Sequence, residues 1–135
     1  MNSILNKNLP VAVLGAGPVG LAAAAHLVAH GVTPLILEAG PQVASNLESY
    51  RHVRLFSPWQ YNIDKAARGL LRDAGWQVPE SASLPTAGQL VDDYLKPLAA
   101  LPVIAANLRL SHRVIAITRA GFDKGSSQKT ENKAR

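Results

Sequence analysis

Near the start of the chain, an apolar run without charged or ionisable side chains extends from Pro10 to Ala25. A helix that spans a membrane needs about 20 apolar residues without strong helix breakers. Gly15, Gly17, Pro18 and Gly20 interrupt this run. A signal peptide would also need a charged start, a compact apolar stretch and a small-residue cleavage site. The pattern therefore argues against a membrane segment and against an export signal.

The same run divides naturally into a short strand, a glycine loop and a helix. Val11–Leu14 is an apolar stretch typical of a strand that is covered on both faces. Pro18 suits an early helical position, and we expect the helix to reach His30 and to stop at Gly31. Four positions at helical spacing are expected to face the sheet: Gly20, Ala23, Ala24 and Leu27.

The glycine loop carries a recognisable spacing. Gly15, Gly17 and Gly20 match G-x-G-x-x-G, in which a tight turn brings the backbone close to a pyrophosphate at a helix N-terminus. A second apolar run, Thr33–Glu38, ends in an acid 23 residues after Gly15, against roughly 20 expected for an acid that binds ribose. Its carboxylate would accept hydrogen bonds from ribose hydroxyls and repel a 2′-phosphate, which favours FAD or NAD over NADP. The alternative is that the glycines only turn the chain and Glu38 only ends a strand.

Downstream patterns predict further helices and strands. The stretch Asp64–Ala74 begins with an acid and ends before a glycine, as a capped helix does. Thr86 and Gln89 form a capping-box pattern at the start of a second helix, which Pro97 should kink or end. Two short apolar runs are expected to be strands: Leu108–Leu110 and Val114–Thr118. The chain is thus predicted to be an α/β protein with a Rossmann-like FAD/NAD(P)-binding fold.

Aromatic and histidine residues are more ambiguous. Phe56, Trp59 and Tyr61 lie within six positions and either fill a satellite core under a loop or line a cofactor. His26 and His30 have the i, i+4 spacing of metal ligands, but no third ligand is apparent, so no metal site is predicted.

Composition excludes several kinds of chemistry. The chain has no cysteine, which excludes disulfides, thiolate metal sites and cysteine nucleophiles, so any redox chemistry would come from a bound cofactor. Hydrophobic residues make up 47% and charged residues 17%, which argues against general disorder. The net charge of +5 arises entirely after Ile104. A basic terminal tail of this size is more typical of a solvated end than of a nucleic-acid-binding arm, so we expect no nucleic-acid partner.

These patterns suggest three parts: an N-terminal extension (residues 1–9), a partial FAD-binding Rossmann-like domain (10–122) and a disordered basic tail (123–135). From Lys124 onward, Ala134 is the only apolar residue. With neither an export signal nor a membrane segment expected, we predict a cytoplasmic protein.

A resemblance to a known family is carried by five stretches: VLGAGPVGLAAAAHL, GVTPLILEAG, HVRLFSPWQYNID, LPTAGQLVDDYLKPLA and HRVIAITRAGFDK. Together they resemble the N-terminal part of FAD-dependent oxidoreductases of the flavin-containing monooxygenase-like group, in particular bacterial flavoproteins often found beside arsenic-resistance genes. The resemblance implies that the ADP half of FAD binds to the first βαβ unit. It implies a pyrophosphate cradle made of Gly15, Ala16, Gly17, Pro18 and Gly20.

The resemblance also implies the remaining contacts. Glu38 would bind the adenosine ribose, and the backbone at Val114 would contact the adenine. Ser57 and Trp59 would lie nearer the flavin, and His52 is the histidine best placed to approach it. Neither a catalytic acid or base nor a nucleophile can be assigned.

The sequence departs from the family in what it lacks. It contains a single G-x-G-x-x-G and lacks the F-x-G-x-x-x-H signature of the monooxygenases. It also lacks two FAD motifs that come later in the family: a strand that ends in A-T-G, and a Gly-Asp pair that binds the ribityl chain. We therefore expect a truncated chain with an incomplete parallel sheet, whose open strand edge could pair with another chain. Such a chain should bind FAD weakly and have no turnover alone, with NADPH needed only in a full-length relative. The alternatives are a non-catalytic or degenerate Rossmann fragment and the NAD-binding domain of a dehydrogenase.

Overall fold

The computed structural model describes residues 9–121. At its centre is a parallel sheet of three strands in the order β1–β2–β3. The strands are β1 (Val11–Leu14), β2 (Pro34–Leu37) and β3 (Leu108–Arg109). The predicted α/β fold is confirmed, together with the first two strands and a shortened third. The predicted tail, and all of the N-terminal extension except Leu9, lie outside the described residues.

Helices fill the connections between the strands. In chain order they are α1 (Pro18–Ala29), α2 (Ser45–Glu48), α3 (Trp59–Asn62), α4 (Lys65–Asp73), α5 (Ala87–Leu90), α6 (Lys96–Ala100) and α7 (Pro102–Ala105). A π-helical turn, Val91–Leu95, joins α5 to α6. The helices α1 and α4 lie where the sequence places them, and Asp64 caps α4 by accepting a hydrogen bond from the Ala67 N–H at 3.0 Å.

The face of α1 that packs inward differs from the prediction. Leu21, Ala24 and Ala25 are buried, whereas Ala23 is exposed. Gly20 instead packs over the glycine loop, where a Cβ atom would lie 1.9 Å from the Gly15 carbonyl oxygen. Because Gly20 packs against the loop, the stripe that faces the core begins one residue later, at Leu21.

Strand β1 is less covered than its apolar sequence predicts. Only Val13 is buried, while Val11 and Leu14 are 45% and 51% exposed. Val13 packs into the core beside α1. No part of the described chain covers Leu14 to the same degree. In the described chain β1 also has a neighbouring strand on one side only. The expectation of a strand buried on both faces is therefore wrong.

The predicted strand Val114–Thr118 does not form. The chain there is extended and exposed, with Ile115 at 92% and Ile117 at 78% exposure. A strand is defined by its hydrogen-bonded neighbour, and no other part of residues 9–121 pairs with this segment. The apolar run is present, but residues 9–121 contain no strand that pairs with it.

Pro97 does not end the helix, which is one of the two outcomes predicted for it. The capping box at Thr86 is confirmed, and the helical path continues through the π-helical turn to Ala100. In an α-helix the Asp93 carbonyl would accept from the N–H of residue 97, which proline lacks. The indole N–H of Trp76 donates to that carbonyl instead, at 2.8 Å. The irregular geometry therefore lies before Pro97 and not after it.

A buried tyrosine connects the helices in the core. The Tyr94 hydroxyl accepts a hydrogen bond from the Asp64 N–H at 3.1 Å, and burial raises the pKa of that hydroxyl. The Asp64 carboxylate also pairs with His26 Nε2 at 2.8 Å, so it links α1 to α4. His26 therefore has a structural role at this contact.

Candidate functional site

The glycine loop joins β1 to α1 in a tight turn. Gly15 adopts φ +104°, which glycine tolerates and other residues rarely do, and its N–H donates to the Leu37 carbonyl at 2.9 Å. Helix α1 begins after this turn. Its first i to i−4 hydrogen bond is donated by the Leu21 N–H to the Gly17 carbonyl. The amides before Leu21 have no partner within the helix, and amides so placed favour an anion.

Ala16, in the middle of this loop, is held at both of its backbone groups. Its N–H donates to Glu38 Oε1 at 2.8 Å, and its carbonyl accepts from the Ala44 N–H at 2.9 Å. Ala16 is fully buried, so these partners replace water. Ala44 reaches it through a left-handed conformation, φ +54°. The segment after β2 therefore fixes the shape of the glycine loop.

Glu38 is the centre of this arrangement. Its second carboxylate oxygen, Oε2, accepts from the Gly40 N–H at 2.7 Å. Its backbone N–H donates to the Arg109 carbonyl at 2.9 Å, and its carbonyl accepts from the His112 N–H at 2.8 Å. Because a carboxylate offers about four acceptor positions, each oxygen can still accept one further hydrogen bond. Glu38 thus builds the loops around it and keeps the capacity to bind a hydroxyl group.

Two cavities meet at Glu38. The larger, about 540 Å³, lies beside the ends of β1 and β2 and is lined on its far side by residues 112–117. The smaller, about 310 Å³, lies at the glycine loop and the start of α1. Residues that line both cavities stand at their junction: Gly15, Glu38 and Asn46.

The structure brings together most of the residues that the sequence singles out. The smaller cavity contains Gly15, Gly17, Pro18 and Glu38, and the larger one contains Val114. Two further residues of the fingerprint support the loop from behind: Ala16 and Gly20.

Ser57 and Trp59 lie elsewhere. Trp59 is buried in the core at the start of α3, and Ser57 is exposed beside the fully exposed Phe56. Neither lines the two cavities at Glu38. His52 is exposed as well. The proposed proximity of Ser57 and Trp59 to a flavin stays a prediction.

Sequence reasoning missed several residues that line the cavities: Ala39, Asn46, Tyr50, His112 and Arg113. Asn46 lies on α2, a helix of four residues. The segment after Glu38 is rich in Gly, Pro, Ser and Asn and has no clear period, so its sequence predicts a loop. Because so short a helix has no periodic apolar pattern, the sequence carries no signal for it. A polar residue a few positions beyond the ribose-binding acid is the available hint.

Helix α2 is anchored by charged side chains. Arg51 forms a salt bridge with Glu48 at 2.6 Å and another with Asp92 in the π-helical turn. The hydrogen bond from Arg51 lowers the pKa of the Asp92 carboxyl below its ordinary value. This network connects the segment that carries Asn46 to the helical segment that contains Tyr94 and Pro97.

The site fits an ADP group in its chemistry. At Gly17 a Cβ atom would meet no other atom within 4 Å, so the backbone there is open to a bulky anion such as a pyrophosphate. Glu38 can accept from ribose hydroxyls, and the extended backbone at Val114 borders the larger cavity, where a base could lie.

Other kinds of site find less support in residues 9–121. In that range no three histidine, aspartate or glutamate side chains are grouped so that they could hold a metal ion. The helices within the same range are too short, or not apolar enough, to cross a membrane.

Comparisons with known proteins agree with this architecture. Residues 13–77 match the family model of the NAD(P)-binding Rossmann-like domain. A search among curated proteins found no significant match. Among solved structures, the bacillithiol disulfide reductase Bdr from Bacillus cereus superposes with a TM-score of 0.64 at 24% identity, over 83% of this chain and 31% of that one.

Two further structures carry bound cofactors in their descriptions. OTEMO in complex with FAD and NADP superposes with a TM-score of 0.61 at 23% identity, over 82% of this chain and 20% of that one. An oxidized steroid monooxygenase bound to NADP superposes with a TM-score of 0.56 at 23% identity, over 75% of this chain and 19% of that one. The chain thus spans about a fifth to a third of the length of these proteins. Together with the β1–glycine loop–α1–β2 geometry, the comparisons show that the chain has the NAD(P)-binding Rossmann-like fold.

Proposed function

We propose that this chain binds the ADP half of FAD as part of an NAD(P)H-dependent flavoprotein oxidoreductase of the monooxygenase-like kind. The proposal depends on the position of Glu38. This residue lines both cavities, and its carboxylate accepts a hydrogen bond from the Ala16 N–H in the glycine loop. The sequence resemblance extends the proposal to flavoproteins found beside arsenic-resistance genes. Cytoplasmic localisation is part of the same proposal.

Each residue then has a binding role. Gly15, Gly17 and Pro18 face the pyrophosphate, and Ala16 and Gly20 support this cradle from behind. Glu38 accepts from the adenosine ribose, and the backbone at Val114 borders the adenine. On the flavin side we place the FSPW segment (Phe56–Trp59), in which Ser57 is exposed and Trp59 is buried in the core. FAD supplies the redox chemistry, while the protein binds and orients it.

NAD is the second candidate ligand, because it contains the same ADP half. It is favoured by the match of residues 13–77 to the NAD(P)-binding Rossmann-like family. On this alternative the chain is the NAD-binding domain of a dehydrogenase. Only the part of the ligand beyond the pyrophosphate distinguishes the two candidates, so binding must be compared directly.

A titration with FAD and with NAD in parallel tests the proposal. Gly17→Ala is the informative variant: Gly17 has φ −88°, which alanine adopts, and its Cβ would fill the open space at the loop. We expect the wild-type chain to bind FAD more tightly than NAD. We also expect Gly17→Ala to bind FAD at least about tenfold more weakly, with an unchanged melting temperature.

Gly69→Ala is the matched control, since Gly69 lies exposed in α4 and its Cβ would also meet no atom within 4 Å. It should bind FAD as the wild type does. Preference for NAD would favour the dehydrogenase alternative. Binding of neither ligand would favour a non-catalytic fragment.

We also propose that the chain provides binding without turnover, and that another chain or segment completes its sheet. The side of β1 that has no neighbouring strand within residues 9–121 supports the completion of the sheet. NADPH oxidation by the chain with FAD should not exceed that of free FAD, measured by the loss of absorbance at 340 nm. A faster rate would contradict this part of the proposal.

A further inference from the structure

Asn46 is a polar residue at the junction of the two cavities. Of the three residues that line both, Gly15 has no side chain, and Glu38 already accepts a hydrogen bond at each carboxylate oxygen. The Asn46 side chain makes no hydrogen bond within the described part of the chain. Its carboxamide is therefore available to a ligand that occupies both cavities.

The backbone around Asn46 is well anchored. Ala44, two residues earlier, donates its N–H to the Ala16 carbonyl in the glycine loop. The Asn46 carbonyl accepts from the Ser49 hydroxyl at 2.8 Å. Glu48, at the end of α2, pairs with Arg51. These contacts fix α2 relative to the loop that faces the pyrophosphate, so the Asn46 side chain starts from a defined position.

The position of the junction indicates which part of the ligand lies there. The smaller cavity adjoins Gly17 and Pro18, at the phosphate end, and the larger one adjoins residues 112–117, at the base end. A ligand that extends from one to the other must place its ribose and the attached phosphate between them. Glu38 is suited to the ribose hydroxyls, because a carboxylate accepts hydrogen bonds and does not donate them.

An amide side chain has the complementary ability. The NH₂ group of asparagine donates two hydrogen bonds, and a phosphate oxygen accepts them. We propose that Asn46 is a further binding residue, whose amide nitrogen donates to the phosphate attached to the adenosine ribose of ADP. The inference rests on the proposed function, since it assumes that an ADP group occupies the two cavities. FAD and NAD share this group, so the role holds for either ligand.

The experiment uses ADP and adenosine as probes, followed by nuclear magnetic resonance of the ¹⁵N-labelled chain. Asn46→Asp replaces the amide donor with a carboxylate of nearly the same shape that carries a negative charge. Asn46→Ala removes the donor without adding charge. Because Asn46 is exposed, both variants should keep the wild-type melting temperature. We expect Asn46→Asp to bind ADP at least about fivefold more weakly, as like charges a few ångströms apart in a wet site imply.

Adenosine lacks the phosphate, so its affinity should change less than about twofold in either variant. Asn46→Ala should weaken ADP binding by a smaller factor than Asn46→Asp. Gln42→Glu is the matched control, because it adds the same charge to an exposed residue of the same segment that lines neither cavity. It should leave ADP affinity unchanged.

The outcomes separate this inference from the function on which it rests. If the wild-type chain binds ADP and both Asn46 variants bind it equally well, the role of Asn46 is overturned and the proposed function stands. An equal loss of adenosine and ADP affinity would also overturn it, since the contact would then not be to phosphate. If the wild-type chain does not bind ADP, the proposed function and the role of Asn46 both fail.

Discussion

At the scale of single residues, Glu38 combines two roles that the sequence presents as one. Its spacing from the first glycine predicts a ribose-binding acid, yet its carboxylate accepts from two backbone amides, those of Ala16 and Gly40. These amides belong to the two loops that border the smaller cavity. The acid is therefore needed to shape the site before any ligand arrives.

Glu38→Gln should destabilise the chain even without ligand. A glutamine offers one acceptor oxygen, and its NH₂ group would face the N–H of either Ala16 or Gly40. Loss of a hydrogen bond to a charged group, at a half-buried position, should lower the free energy of unfolding by about 2 kcal/mol. Urea denaturation of the ligand-free chain measures this change.

Glu80→Gln is the control for Glu38→Gln. Glu80 is exposed and its side chain has no partner within the described residues, so its substitution should change stability by less than about 0.5 kcal/mol. Equal stability of Glu38→Gln and the wild type would mean that the carboxylate serves the ligand alone.

Site residues could be predicted where a motif defines them, and not where tertiary contacts do. Gly15, Gly17 and Glu38 line one cavity as their spacing predicts, and their proposed roles rest on the local spacing that a dinucleotide requires. Asn46 reaches the site because Ala44, in a left-handed conformation, donates to a loop 28 residues away in sequence. No local pattern encodes such a contact.

At the scale of helices and strands, capping signals predict where helices begin better than proline predicts where they end. Thr86 and Asp64 cap α5 and α4 as their sequences indicate. Pro97 was expected to kink or end its helix, and the helix does not end there: a π-helical turn precedes Pro97, and the Trp76 side chain binds the carbonyl that Pro97 leaves without a donor. The donor to the Asp93 carbonyl lies 17 residues earlier in the chain, so local rules could not reveal it.

Trp76→Phe tests that accommodation. Phenylalanine keeps an aromatic ring near Tyr94, whose ring centroid lies 6.1 Å from that of Trp76, but it cannot donate to the Asp93 carbonyl. We expect the free energy of unfolding to fall by about 1 kcal/mol, the usual net value of one hydrogen bond. Urea denaturation followed by far-ultraviolet circular dichroism measures it.

Tyr61→Phe is a suitable comparison for Trp76→Phe, because Tyr61 is 76% exposed and its hydroxyl has no partner in the described residues. It should unfold at the wild-type urea concentration. If Trp76→Phe does so as well, the indole hydrogen bond does not stabilise the turn.

At the scale of the whole molecule, β1 is an edge strand of the sheet that residues 9–121 form. The N–H groups of Val11 and Gly15 donate towards the β2 side, to Thr33 and Leu37. Because hydrogen-bonding direction alternates along a strand, the backbone groups of Ala12 and Leu14 point to the open side. An apolar strand with free backbone groups on one side can pair with another chain. The apolar sequence of β1 predicts a strand but not which of its sides has a neighbour.

We expect this open edge to drive self-association at high concentration. Ala12→Lys places a charge on an exposed position of the edge, a substitution that natural edge strands use against pairing. It should raise the monomer fraction in sedimentation velocity, while the β1–β2 pairing stays intact. Ala105→Lys adds the same charge at an exposed position of α7, far from β1 in sequence, and should associate as the wild type does. If both variants become more monomeric, net charge and not the strand edge controls association. If the wild type stays monomeric at every concentration, the edge does not pair.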